Sequence, residues 1–125
     1  MDFAEQIAAG EQAVAAGRAE AAILVAEGLY KAGCIEVSVF VFHARALDLA
    51  LRPLAALAVL ADGLATQPYS GRLRVERGKI LARQGDAAQA EAAFDDALTT
   101  DPRQMEAVKG ILSLRPIALD DPRLA

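Results

Sequence analysis

Aromatic residues, cysteine and histidine are scarce in this chain. There is no Trp, and Phe and Tyr together make up only 5% of the 125 residues. A single cysteine, Cys34, excludes an internal disulfide framework and fits a reducing compartment. With one His and one Cys, a zinc site of four protein ligands would need mostly carboxylates, so we expect no metal site and no cofactor.

Long apolar runs and an excess of positive charge are also missing. No uninterrupted apolar stretch approaches the ~20 residues that span a bilayer. The first five residues are acidic, whereas a secretory signal would be basic there. A formal net charge of -4 provides no general attraction to nucleic acid or to anionic lipid. These features predict a cytoplasmic protein without membrane or nucleic-acid partners.

Alanine is abundant and strand patterns are absent from the sequence. Alanine supplies 29 of the 125 residues, and it favours helices because its side chain loses no entropy on ordering. The apolar spacing predicts seven helices joined by short connections, which makes neighbouring helices antiparallel. Their expected ranges are about 2–16, 19–32, 36–50, 53–66, 71–84, 87–99 and 103–114.

Local signals mark the ends of these helices. Gly85 is suited to end one helix and Asp86 to cap the next. Asp101 is predicted to cap the last helix, with Pro102 in the first position, where no N–H is needed. Two further predicted starts are Pro53 and Ser70.

A pattern of small, large, small and proline residues recurs at an interval of 34 residues. Such a period indicates stacked helical repeats. The later copy contains Ala90, Phe94, Ala97 and Pro102, and the earlier one Ala56, Leu60, Gly63 and Pro68. A further step back reaches Ala22, after which the large and small members slip to Val25 and Gly28. The first repeat is therefore predicted to be one residue short.

These residues resemble the tetratricopeptide repeat (TPR) family. The resemblance implies an all-α, right-handed α-solenoid of about three antiparallel helix pairs with a C-terminal capping helix. It further implies one domain over residues 1–125, with repeats at about 3–36, 37–70 and 71–104, the capping helix at about 103–114 and a tail at 115–125. In this family the first helix of each pair lines a concave groove that holds a peptide or a partner protein. By position, that groove would include Ser38, Val41, Arg45 and Asp48, and then Arg72, Val75, Lys79 and Arg83.

Basic residues are concentrated between positions 72 and 83, where five of the thirteen in the chain occur. Arg72, Lys79 and Arg83 share one helical stripe, because they are seven and four residues apart. One interpretation is a solvated helix face paired with nearby carboxylates. The other is the basic wall of a groove for an acidic segment, since an Arg fork grips a carboxylate with two hydrogen bonds. A carboxylate-clamping subgroup of the family is not matched: only Arg72 fits among Ile7, Glu11, Phe42, Arg72 and Glu76.

The sequence contains no combination of residues that predicts catalysis. His43 stands where the family packs a core Leu, and Cys34 lies in a bend without a basic neighbour, so both are predicted to be structural. We therefore expect a non-enzymatic module that binds a protein or peptide. Two alternatives stay open: a regulatory or substrate-recruiting domain of a larger enzyme, such as a sulfotransferase or hydroxylase, and a homodimeric scaffold joined by terminal helices. Asp120-Asp121-Pro122 repeats the helix-start signature, which indicates either a longer natural chain or a frayed tail.

Overall fold

Seven α-helices make up the regular structure of residues 1–114, the part of the chain that this computed structural model describes. Every predicted helix is present, and each observed end lies within two residues of the expected one. No strand occurs in residues 1–114. The helices are α1 (Phe3–Ala15), α2 (Ala19–Lys31), α3 (Val37–Leu49), α4 (Pro53–Thr66), α5 (Gly71–Arg83), α6 (Ala87–Thr100) and α7 (Met105–Leu114).

The chain divides into two compact units, unit 1 (Met1–Pro68) and unit 2 (Tyr69–Ala125). In unit 1, α1 packs against α2 and α3, and α3 packs against α4. In unit 2, the three helices α5, α6 and α7 all pack against one another. The organisation of residues 1–125 as a single domain stays a prediction, and the expected tail at 115–125 lies outside the described residues.

The 34-residue interval extends through every helix start. The first helices of successive pairs begin at residues 3, 37, 71 and 105, and the second helices at 19, 53 and 87. The predicted one-residue deficit in the first repeat is therefore wrong. Ala26 and Leu29 are the buried counterparts of Leu60 and Gly63, whereas Gly28 is exposed. The pattern of large and small residues is reversed in the first repeat, where Ala26 is small and Leu29 is large. The buried positions themselves keep the 34-residue spacing.

Helix ends follow the local chemistry in most places. The Asp86 carboxylate accepts a hydrogen bond from the Gln89 N–H at 3.1 Å, and the Ser70 hydroxyl accepts one from the Leu73 N–H at 3.2 Å. The prediction that Asp101 caps α7, with Pro102 in its first position, is wrong. The Asp101 carboxylate accepts from the Arg103 N–H only two residues ahead, which closes a turn. Consequently α7 begins at Met105, three residues beyond Pro102.

Each unit has a Phe ring packed directly on glycine backbone. In unit 2, a Cβ built on Gly78 would lie 2.5 Å from the ring of Phe94, and one built on Gly110 would overlap the same ring. In unit 1, a Cβ on Gly10 would lie 2.5 Å from the ring of Phe42. These glycines let helices approach an aromatic ring more closely than any other residue permits.

The contact between Gly78 and Phe94 leads to the first prediction. We expect Gly78→Ala to lower the free energy of unfolding by about 1–3 kcal/mol, because the new methyl group must displace a buried ring. Gly28→Ala is the matched control: no atom lies within 4 Å of its added Cβ, and alanine favours the helix by roughly 0.5–1 kcal/mol. Urea denaturation followed by circular dichroism measures both changes. Equal effects of the two substitutions would contradict the packing assigned to Phe94.

The corner between α3 and α4 leads to the second prediction. Leu51 has a left-handed φ of 61°, whereas Gly17, Gly33 and Gly85 occupy the other corners of this type. We expect Leu51→Gly to raise the free energy of unfolding by about 0.5–1 kcal/mol, because left-handed backbone costs an L-residue roughly 1–2 kcal/mol and glycine loses some of that gain through its freer unfolded chain. The reciprocal change, Gly85→Leu, should lower stability in the same denaturation experiment. A stabilising Gly85→Leu would refute this account of the corner.

Candidate functional site

An open cleft of about 300 Å³ lies in unit 2. Helix α5 supplies one wall and α7 the other, while the buried ring of Phe94 from α6 lies at its base beside Gly110. The cleft is lined by three cationic side chains, one carboxylate, one hydroxyl and an apolar floor. The lining residues are Lys79, Ala82, Arg83, Phe94, Glu106, Lys109, Gly110 and Ser113.

Ion pairs tie the two walls of this cleft together. The Lys79 ammonium lies 3.3 Å from a Glu106 carboxylate oxygen across the cleft and 3.8 Å from Glu76 on its own helix. Lys109 lies 3.7 Å from the other oxygen of Glu106. Glu76 is almost fully buried, so an adjacent cation is needed to keep a charge there tolerable. Lys79 therefore both neutralises a buried carboxylate and joins α5 to α7.

The neighbouring cations lower the pKa of Glu106. A hydrogen bond from Lys79, together with the charges of Lys79 and Lys109, holds the pKa of the Glu106 carboxyl below its usual value. The carboxylate is therefore fully ionised near neutral pH. Since the lining contains three cations and this one anion, the cleft keeps a positive balance suited to a carboxylate ligand.

The sequence-predicted groove residues fall on two helices in different units. On α5, Lys79 and Arg83 line the cleft, Arg72 is exposed nearer the start of the helix, and Val75 is buried. On α3, Val41 is buried, and the three polar members, Ser38, Arg45 and Asp48, are half-buried and already interact with other residues. Each valine therefore supports its helix from within and presents little surface of its own.

Helix α7 supplies half of the cleft, and the sequence interpretation gave it only a capping role. Glu106, Lys109 and Ser113 were not identified as site residues. A signal was available, because α7 begins 34 residues after α5 and so occupies the position of a first helix. This signal was missed because Asp101 and Pro102 look like a helix start, which placed the expected beginning of α7 two residues too early.

His43 is half-buried and Cys34 is buried. The Tyr30 hydroxyl lies 3.0 Å from Nδ1 of His43, and a neutral ring with its proton on Nε2 accepts that hydroxyl hydrogen. Burial lowers the pKa of His43, opposed by Glu27 and reinforced by Arg52. Burial also raises the pKa of Tyr30, with smaller contributions from Asp62 and Cys34. The Cys34 thiol is buried and forms no disulfide.

The described part of the chain offers neither a metal cluster nor a membrane span. Within residues 1–114, no group of three or more His, Cys, Asp or Glu side chains is placed to hold a metal ion. Over the same range, every helix is too short or too polar to cross a bilayer.

The structure is similar to two solved TPR structures. The first TPR domain of the human RPAP3 protein matches with a TM-score of 0.79 and 14% sequence identity, covering 89% of this chain and 87% of that one. TTC0263, a thermophilic TPR protein of Thermus thermophilus, matches with a TM-score of 0.71 and 19% identity, covering 92% of this chain and 75% of that one. No family model and no curated protein matches the sequence. These likenesses confirm the predicted fold: the chain has the all-α helical-repeat fold of TPR domains.

The half-buried His43 leads to the third prediction, on pH dependence. Because its folded pKa is depressed, the stabilisation by neutral His43 is complete above its unfolded pKa of about 6.5 and is lost as pH falls below that value. We expect the wild type to lose stability from pH 7.5 to 5 relative to His43→Gln, which does not titrate. Parallel urea titrations of the two proteins measure this difference. Identical pH profiles would show that His43 keeps its ordinary pKa.

Proposed function

We propose that this chain is a non-catalytic module that binds a partner protein or peptide, and that the cleft between α5 and α7 accepts an acidic segment of that partner. The observation that carries the proposal is the set of three cations, Lys79, Arg83 and Lys109, around a cleft with an apolar base. Repeated helix pairs of this kind generally serve protein–protein interaction, because they present extended surfaces built from successive first helices.

The chemistry of the cleft favours a carboxylate beside an apolar group. Arg83 adds a guanidinium to the lining and already interacts with another residue, and Lys109 is a compact charge with an exposed head beside Glu106. Lys79 is already paired with Glu76 and Glu106, so it would attract a carboxylate through its positive charge more than through a new direct contact. The ring of Phe94 at the base offers an apolar surface for the rest of a bound side chain.

The remaining predicted residues form part of the same proposal. We assign to unit 1 its own contact face on α3, with Ser38, Arg45 and Asp48 at the surface and Val41 beneath them. On α5, Arg72 extends the basic stripe beyond the cleft, and Val75 supports it from within. A cytoplasmic location is part of this proposal, motivated by the single cysteine.

Two other functions stay open. A regulatory or substrate-recruiting domain of a larger enzyme would use the same cleft on a segment of its own protein. A homodimeric scaffold would instead need an apolar surface, and the structure has one on α4. The start signature at residues 120–122, which bears on a longer chain, lies outside the described residues.

The fourth prediction tests the cleft by charge reversal. An acidic peptide rich in Asp and Leu should shift the backbone amide NMR signals of residues 79–83 and 106–113, whereas its Asn-for-Asp counterpart should not. We expect Arg83→Glu with Lys109→Glu to weaken this binding by about tenfold or more, because exposed pairs are worth up to ~1 kcal/mol each and reversal adds repulsion. Both sites are chosen so that the bridge from Lys79 to Glu106 is left in place.

A matched double variant separates the cleft from general electrostatics. Arg77→Glu with Arg103→Glu changes the net charge of unit 2 by the same amount at two exposed positions outside the cleft lining. It should leave the affinity within about twofold at physiological salt, where the screening length is ~8 Å. Equal loss in the two double variants, or amide shifts elsewhere in unit 2, would disprove an acidic-segment site at this cleft.

A further inference from the structure

The Glu106 carboxylate occupies two of the cations that line the cleft in unit 2. Its Oε2 atom lies 3.3 Å from Nζ of Lys79 on the opposite wall, and its Oε1 atom lies 3.7 Å from Nζ of Lys109 on its own helix. Charged contacts to these ammonium groups are what an incoming carboxylate would also need. A group of the same chemistry as the proposed ligand is therefore already present in the cleft.

The repeat itself does not require an acidic residue at this position. The earlier first helices have Ala4, Ser38 and Arg72 at the preceding 34-residue intervals, and none of these is acidic. Core packing does not require one either, because the Glu106 side chain is 51% exposed. The carboxylate is therefore a feature of this cleft and not of the helical repeat.

Glu106 would oppose a second carboxylate in the same place. The hydrogen bond from Lys79 and the charges of Lys79 and Lys109 keep it ionised near neutral pH. Two like charges a few ångströms apart repel each other, and salt screens them little at distances shorter than the screening length of ~8 Å. An acidic ligand must therefore displace Glu106 or share the two lysines with it.

We infer that Glu106 is a built-in competitor of the ligand, which holds Lys79 and Lys109 in the free protein and lowers the affinity of the cleft for acidic segments. This inference rests on the proposed binding of an acidic segment at the cleft. It makes Glu106 a specificity-determining residue, because a carboxylate alone gains little by replacing another carboxylate. A segment that also places an apolar group on the Phe94 ring has further binding energy with which to displace it.

Neutralising Glu106 tests the inference with the Asp- and Leu-rich peptide and its Asn-for-Asp counterpart. Glu106→Gln keeps the size of the side chain and removes its charge. It should tighten binding of the acidic peptide about five- to tenfold in an amide NMR titration, because both lysines are released and the repulsion is removed. The Asn counterpart should remain unbound, since it has no charge to gain from the released lysines.

Asp96→Asn is the matched control for net charge. It removes one negative charge from an exposed position of α6 outside the cleft lining, and it should leave the affinity within about twofold. The amide spectrum of each variant also shows whether unit 2 keeps its fold.

A double-mutant cycle tests whether Glu106 and the ligand compete for the same lysine. Lys109→Gln should weaken binding about twofold in the wild type, where Glu106 already holds that lysine, and about fivefold or more in the Glu106→Gln protein, where the ligand has it alone. Equal losses in the two backgrounds would show that Glu106 does not compete at Lys109 and would overturn the inference.

The titrations also separate this inference from the proposed function. If the acidic peptide binds the wild type at the cleft and Glu106→Gln gives no gain, or no more gain than Asp96→Asn, the competitor role is overturned and the acidic-segment site stands. If the peptide binds neither the wild type nor Glu106→Gln, both proposals are overturned. Binding that becomes detectable only in Glu106→Gln supports both.

Discussion

The ring of Phe94 is the contact on which unit 2 depends, because all three of its helices meet there. Gly78 on α5 and Gly110 on α7 both leave room for the ring, and a Cβ at either position would overlap it. The same ring lies at the base of the charged cleft. Packing and binding surface are thus coupled: the distance between the cleft walls is set by an aromatic ring and two missing side chains.

Unit 1 meets the same packing requirement with different residues. There the ring belongs to Phe42 on a first helix and packs on Gly10 of α1, while the second helices have Ala26 and Leu60 at the position of Phe94. Both units are closely packed, but the aromatic ring comes from a second helix in unit 2 and from a first helix in unit 1. The sequence could therefore predict the helix ends, which depend on local caps and corners such as Asp86 and Gly85. It could not predict which residues of the first repeat are buried. A large side chain in one helix can be compensated by a small one in its neighbour, and the sequence of a single helix does not show this.

The candidate site was predictable to the extent that its residues share a helix. Lys79 and Arg83 were identified because their spacing places them on one stripe of α5. The partners of Lys79 were missed. The burial of Glu76 depends on how α5 packs, and Glu106 comes from a helix that was assigned only a capping role. Val41 and Val75 show the converse, since helical spacing alone cannot tell a groove surface from the core directly beneath it.

The two units present opposite chemistry at their surfaces. In unit 2, charged side chains surround the cleft, so an interaction there weakens as salt screens the cations. In unit 1, α4 presents leucine and alanine, and burial of such a surface is insensitive to screening and strengthened by excluded salts such as sulfate. Local consistency is the rule in stable folds, so departures from it point to function. Leu51 departs from it, because it has a left-handed φ of 61° at a corner of the kind that Gly17, Gly33 and Gly85 occupy elsewhere in the chain.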